Sequence, residues 1–235
     1  MKYKKIILIF MMAIVCSGLV FADFAISFGP AFTNYFIQTK NEGKFEGFDA
    51  ALQSSLKSAK KEKNNAAGVA LDLRAGLFYM MTQIAFPAKN HSDIIKGSGS
   101  EKDKFLKTNA FILDTQLGAG LTLFKKTRFN LFLGGGLGIN AMKATQSFYI
   151  FNQEFKYEKL DVMFGLGANI LASYYFTNII GIYAGIADTF YFTPLKVQKT
   201  FKVAGHEHTV SNTDGSIKDV LANSLNIKLG ISIRL

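Results

Sequence analysis

Beyond residue 24 the chain keeps returning to a two-residue alternation of apolar with small or polar side chains. In the last segment Leu225, Ile227, Leu229, Ile231, Ile233 and Leu235 alternate with Asn226, Lys228, Gly230, Ser232 and Arg234. Successive side chains of a strand point to opposite faces, so this segment has one greasy face and one small or polar face. A soluble sheet would carry abundant Lys and Glu on its second face. This one is too small and too sparsely charged for that. It suits the cramped interior of a closed barrel whose greasy side meets lipid. The pattern therefore predicts an all-β fold, an antiparallel up-and-down transmembrane β-barrel of about eight strands.

Clear strands are expected at 24–37, 109–124, 128–142, 159–175, 179–193 and 221–235. Pro30 should disturb the first, because proline cannot donate to a sheet ladder. Residues 67–87 change face partway, with Val69, Leu71 and Leu73 on one parity and Phe78, Met80, Ile84 and Phe86 on the other. A tight turn near Gly76-Leu77, giving two strands, is favoured over a bulge in one long strand. The bulge would need the missing strand at 46–58. There Phe48, Leu52, Ser55 and Leu56 sit at helical spacing, so a short helix is expected in that loop. Residues 162–187 carry no charged side chain and would be long enough for a spanning helix. Their alternation, their glycines and the central Phe176-Thr177-Asn178 turn argue for a hairpin instead.

Short polar turns at 125–127 and 176–178 alternate with long stretches at 88–108, 145–157 and 194–220 that read as loops. Outer-membrane barrels show this asymmetry, with short periplasmic turns and long extracellular loops. Phe124, Phe129, Tyr174, Tyr175 and Phe176 cluster at the short-turn end, and Tyr149, Phe151, Phe155, Tyr157, Phe190, Tyr191 and Phe192 at the other. Two interfacial girdles would produce that distribution.

The N-terminus reads as an export signal. Lys2, Lys4 and Lys5 precede an apolar run at 6–15, and Val20-Phe21-Ala22 offers a cleavage site. The expected organisation is a cleaved signal peptide, 1–22, followed by one barrel domain, 23–235. Cys16, the single cysteine, falls within the signal, so no disulfide is expected in the mature chain. A lipoprotein modified at Cys16 is the rival, but bulky Val15 before it fits that processing poorly.

The net charge is +10, but lysines such as Lys57, Lys60, Lys61, Lys63, Lys102, Lys104 and Lys107 lie in loop-like stretches. A nucleic-acid binder would interleave them with aromatics on one folded face, so no nucleic acid is expected. In the barrel register Asp72, Arg74, Asp114, Asp161, Lys228 and Arg234 fall on the small, polar face. Buried charges are costly unless paired, so these six are expected to form a polar network in the lumen. Such a network either closes a narrow barrel or acts as a charged filter for a small solute. His206-Glu207-His208 offers only two imidazoles, too few for a metal site, and no cofactor is expected. No nucleophile, base and acid are placed to converge, so no enzyme is expected. The GGG at 134–136 lies in mid-strand, where it admits close packing across the lumen or a bend rather than cradling phosphate.

The stretches AFILDTQLGAG (110–120), NLFLGGGLGIN (130–140), GIYAGIADTFYF (181–192) and LNIKLGISIRL (225–235) resemble small treponemal (spirochaete) outer-membrane proteins. That family is catalogued as a domain of unknown function and likened to the OmpW and OmpX type of eight-stranded barrel. The resemblance covers the whole mature chain and implies location and fold, with no catalytic residues to carry over. The implied location is the cell outer membrane. The partners expected of such a barrel are outer-membrane lipid and the outer-membrane insertion machinery, and the long loops on a rigid frame add host surface molecules as a further expectation. The leading functional expectation is a surface-exposed structural or interaction protein with a polar-plugged lumen. A narrow, porin-like conduit for small, hydrophobic solutes is the alternative, and a soluble periplasmic lipid-binding barrel the third reading.

Overall fold

A computed structural model of the chain describes residues 24–42, 61–87, 105–150, 153–203, 206–213 and 217–235. Among them lie nine strands and no helix: β1 (Phe24–Glu42), β2 (Lys61–Ala75), β3 (Phe78–Pro87), β4 (Phe105–Leu123), β5 (Phe129–Ile150), β6 (Gln153–Tyr175), β7 (Ile180–Val203), β8 (His206–Ser211) and β9 (Ile217–Arg234). From β1 to β7 each strand pairs antiparallel with the next, β7 pairs with β9, and β9 returns to β1. Eight strands thus close a barrel, while β8 is a flap paired to β7. Closure leaves no open edge in the membrane zone. Lipid demands this, because it cannot hydrogen-bond stray backbone groups.

The alternation of the sequence becomes the two faces of this wall. Phe28, Phe32, Val69, Leu71, Ile84, Leu117, Leu137, Ile139, Leu166, Ile170, Ile182, Ile186, Ile227, Leu229 and Ile231 all point outward and are exposed. An apolar belt running around every strand is intolerable in water and stable in hydrocarbon. The molecule is therefore an outer-membrane β-barrel.

Residues 67–87 form parts of two strands, as the change of parity implies, and β2 reaches back to Lys61. The turn between them is Gly76-Leu77, where Gly76 takes φ of 59°, a left-handed conformation that costs glycine little. β1 runs unbroken through Pro30, which lies opposite Val69 of β2. The disturbance is confined to the β9 side, where pairing passes from Phe28↔Ile231 to Ala31↔Lys228 beside the residue lacking an N–H. The helix expected at 46–58, the signal peptide expected at 1–22 and most of the loop expected at 88–108 lie outside the described residues.

Two expected loops are largely strand. Residues 145–150 continue β5 and 153–157 open β6, while 194–203 belong to β7 and 206–211 to β8. β5, β6 and β7 have 22, 23 and 24 residues. Spanning needs roughly 9–11 residues, so about half of each stands clear of the bilayer. The cause of the misreading is solvent. Above the belt the outward positions carry Lys143, Lys156, Glu158, Lys196 and Lys202, which mimic loop composition although the backbone stays paired.

The β6–β7 register shifts twice near the top of the belt, at Val162/Met163 and Phe164/Gly165. Pro194 lies in this bulged stretch, where a missing donor is tolerated. There β7 also changes partner. It pairs with β9 up to Tyr191 and with β8 from Gln198. Asn212 bridges the gap: its Oδ1 accepts from Val197 N at 2.8 Å and its Nδ2 donates to the Pro194 carbonyl at 3.1 Å.

Candidate functional site

The lumen is the candidate site, because every buried charge among the described residues points into it. β2 contributes Asp72, β9 Lys228 and β6 Asn169, each placed inward by strand parity. Lys228 Nζ donates to Asp72 Oδ1 at 2.7 Å and to Asn169 Oδ1 at 3.1 Å. Asn169 Nδ2 closes the triangle on Asp72 Oδ1 at 3.0 Å. One buried triad so ties together opposite walls.

A second knot lies on the long-strand side of the first. Asp114 of β4 accepts from Tyr191 Oη of β7, and from Asn226 Nδ2 of β9 at 2.8 Å. Its neighbour Gln116 accepts from Tyr79 Oη at 3.1 Å and donates to Thr189 Oγ1 at 2.5 Å. Nearby, Gln83 donates to Thr33 Oγ1. Farther along, Lys159 and Asp161, both buried, pair at 3.1 Å on β6. Apolar side chains surround that end, including Met142, Met163, Val197 and the Tyr157–Phe201 ring pair, 4.7 Å between centroids.

Glycine makes room for these bridges. Gly134, Gly136 and Gly138 of the β5 run face inward, while Gly135 faces out. A Cβ on Gly138 would overlap the Thr189 methyl, one on Gly134 the Phe132 and Tyr79 rings, and one on Gly167 the Gln116 amide. The floor of β5 and β6 is therefore bare where side chains from elsewhere cross the lumen.

Of the six residues expected in one network, the structure distributes all six along the lumen in separate groups. Asp72 pairs with Lys228, Asp114 is held by neutral donors, and Asp161 meets Lys159. Arg74 Nη2 donates to Ser27 Oγ at 3.1 Å and Ser232 Oγ at 3.3 Å, with its guanidinium 5.6 Å from the Phe132 ring centre. Arg234 stands at the short-turn mouth, where Nε donates to Asn178 O at 2.8 Å and Nη1 to Thr127 O at 3.2 Å. It clamps the two short turns together and stacks over Tyr175 at 4.3 Å.

The neutral partners, Asn169, Asn226, Gln116, Thr189 and Tyr191, were not among the six. All lie on the inward parity of their strands, which was the available signal. Tyr191, Tyr157 and Tyr175 were expected in the lipid girdles and are instead buried inside. Their even-numbered neighbours Phe190, Phe192, Tyr174 and Phe176 do face outward. Among the described residues no three His, Cys, Asp or Glu side chains gather as a metal site.

Outside the bilayer, Glu158 of β6 pairs with Lys156 at 2.6 Å and lies 3.9 Å from Lys202, which also reaches Glu207 of β8 at 3.4 Å. The Lys156 ammonium, with Lys202 and Lys143 beyond it, holds the Glu158 carboxyl below the usual carboxylate range.

A family model described as a domain of unknown function, DUF2715, matches residues 20–235. The chain belongs to that family. No curated protein matches the DUF2715 chain. Solved structures similar to it include Neisserial surface protein A, at 11% identity and TM-score 0.44, covering 90% of this chain and 97% of that one. A major outer membrane protein from Thermus thermophilus gives 11% identity and TM-score 0.49, covering 88% and 100%. The outer membrane protein OprG from Pseudomonas aeruginosa gives 9% and 0.48, covering 91% and 96%.

Proposed function

We propose that this barrel is a closed scaffold that presents its extracellular strands and loops to host or envelope partners, without catalytic chemistry of its own. The observation that carries the reading is the bridging of opposite walls by Lys228, Asp72 and Asn169, with a second bridge at Asp114, Tyr191 and Asn226. Side chains tied across a lumen of about eight strands leave little free bore. Binding then falls to the elements outside the bilayer, as it commonly does for loops on a rigid frame. The extension of β5 to β8, with its outward Lys156, Glu158, Lys202 and Glu207, is the part offered to a partner.

The test is binding of intact cells bearing the barrel to host-cell surfaces, with and without residues 88–108 and 194–220. Loss of binding on deletion, with the barrel still folded, is expected. Binding that survives both deletions would end the reading.

A narrow conduit is the second reading. Several buried polar atoms, Asn140 Oδ1 and Nδ2, Ser173 Oγ and Tyr183 Oη, have no protein partner among the described residues. Such atoms call for water, which favours a hydrated path.

A further inference from the structure

The short-turn mouth holds a cavity of about 500 Å³. Arg74, Arg234, Lys125, Asn130, Asn178 and Thr122 line it, and no Asp or Glu does. Arg74 is the decisive member. It is 4% exposed, yet no carboxylate among the described residues pairs with it. Its Nη2 is satisfied by two serine hydroxyls, and its Nε is buried without a partner.

Each acid on the same lumen face is engaged elsewhere. Asp72 belongs to Lys228, Asp161 to Lys159, and Asp114 to Tyr191 and Asn226. A buried guanidinium held only by neutral groups is costly, and an anion entering from the open mouth would offset that cost. The second arginine is already held in place at the mouth. Backbone carbonyls of both short turns fix Arg234, and its ring partner Tyr175 bonds Ser232 Oγ at 2.9 Å, the same hydroxyl that Arg74 uses. Two planar forks linked through the Ser232 hydroxyl and the Tyr175 ring, beside a lysine and two amides, suit an acceptor-rich, compact oxyanion.

We propose that the periplasmic mouth is an oxyanion site in which Arg74 and Arg234 bind a phosphate group. This goes beyond the scaffold reading, because the site lies at the opposite end from the loops and needs no through-going pore.

The test follows the Nε–H resonances of Arg74 and Arg234 in the refolded barrel in maltoside micelles, the unsubstituted arginine serving as reporter in each variant, while inorganic phosphate replaces chloride at constant ionic strength. A saturable shift is expected, with affinity at least tenfold weaker in Arg74→Gln and partly kept in Arg74→Lys. A resonance that phosphate leaves unmoved, or equal affinity in Arg74→Gln, overturns the proposal. Should Arg74→Gln fail to fold, Arg234→Lys together with Lys125→Gln supplies the comparison, again with weaker binding expected. Adding phosphatidylglycerol to the micelles separates two sources of the same chemistry. Competition with phosphate would identify a lipid headgroup, and its absence a soluble phosphate compound.

Discussion

Single residues decide whether the lumen tolerates its charges. Lys228 and Asp72 are both buried, and each is the other's ionic partner. Lys228→Met would leave the Asp72 carboxylate alone in a poorly solvated interior and should destabilise the barrel by about 3–5 kcal/mol. Pairing it with Asp72→Asn removes the orphaned charge, so the double variant should regain most of that loss. Urea unfolding of the refolded protein in lipid vesicles measures both. Additive losses would show that the two groups do not depend on each other. At this scale the sequence was half legible. Parity alone put Asp72 and Lys228 on one face, but it could not show that Asn169, from a distant strand, would complete them. Tyr191 and Tyr175 are buried although expected in the girdles: aromatic composition near a strand end was weighed without the parity of their odd positions, which face inward.

At the scale of elements, glycine position decides what can cross the lumen. Gly138→Val would drive a side chain into Thr189 and toward Tyr191, and overpacking of that kind costs about 1–3 kcal/mol. Gly135→Val is the control. Its Cβ points outward and meets only the Gly167 carbonyl, at 3.7 Å, so stability should change little. Equal losses in the two variants would contradict the inward packing described for β5.

The extension of β6 and β7 should respond to acid. Because Glu158 has a depressed folded-state pKa, its ion pairs stabilise the extension above the ordinary carboxylate range and lose that effect as pH falls through the folded value. Backbone amide exchange in 156–159 and 199–202, corrected for intrinsic rates, should therefore accelerate as pH falls below the ordinary carboxylate range. Glu158→Gln should abolish that pH dependence, and an unchanged acid response in the variant would refute the assignment. Strand existence was legible wherever lipid made the outward face apolar. It was not legible above the belt, where water accepts charges on that face, and residues 194–203 of β7 together with β8 therefore read as loop.

For the whole molecule, the alternation foretold a closed barrel because only closure satisfies the backbone of strands with a greasy outer face. What it could not foretell was how the lumen is occupied. Gly134, Gly136 and Gly138 read equally well as open space or as room reserved for Tyr79, Phe132 and Thr189, and only the folded arrangement distinguishes them. The most direct test of the account is the ionic conductance of the refolded, unsubstituted barrel in a planar lipid bilayer. A folded, inserted and electrically silent protein is the result expected of a lumen bridged at Asp72–Lys228 and Asp114–Tyr191. Discrete conductance steps from the same preparation would contradict it and make the molecule a solute path.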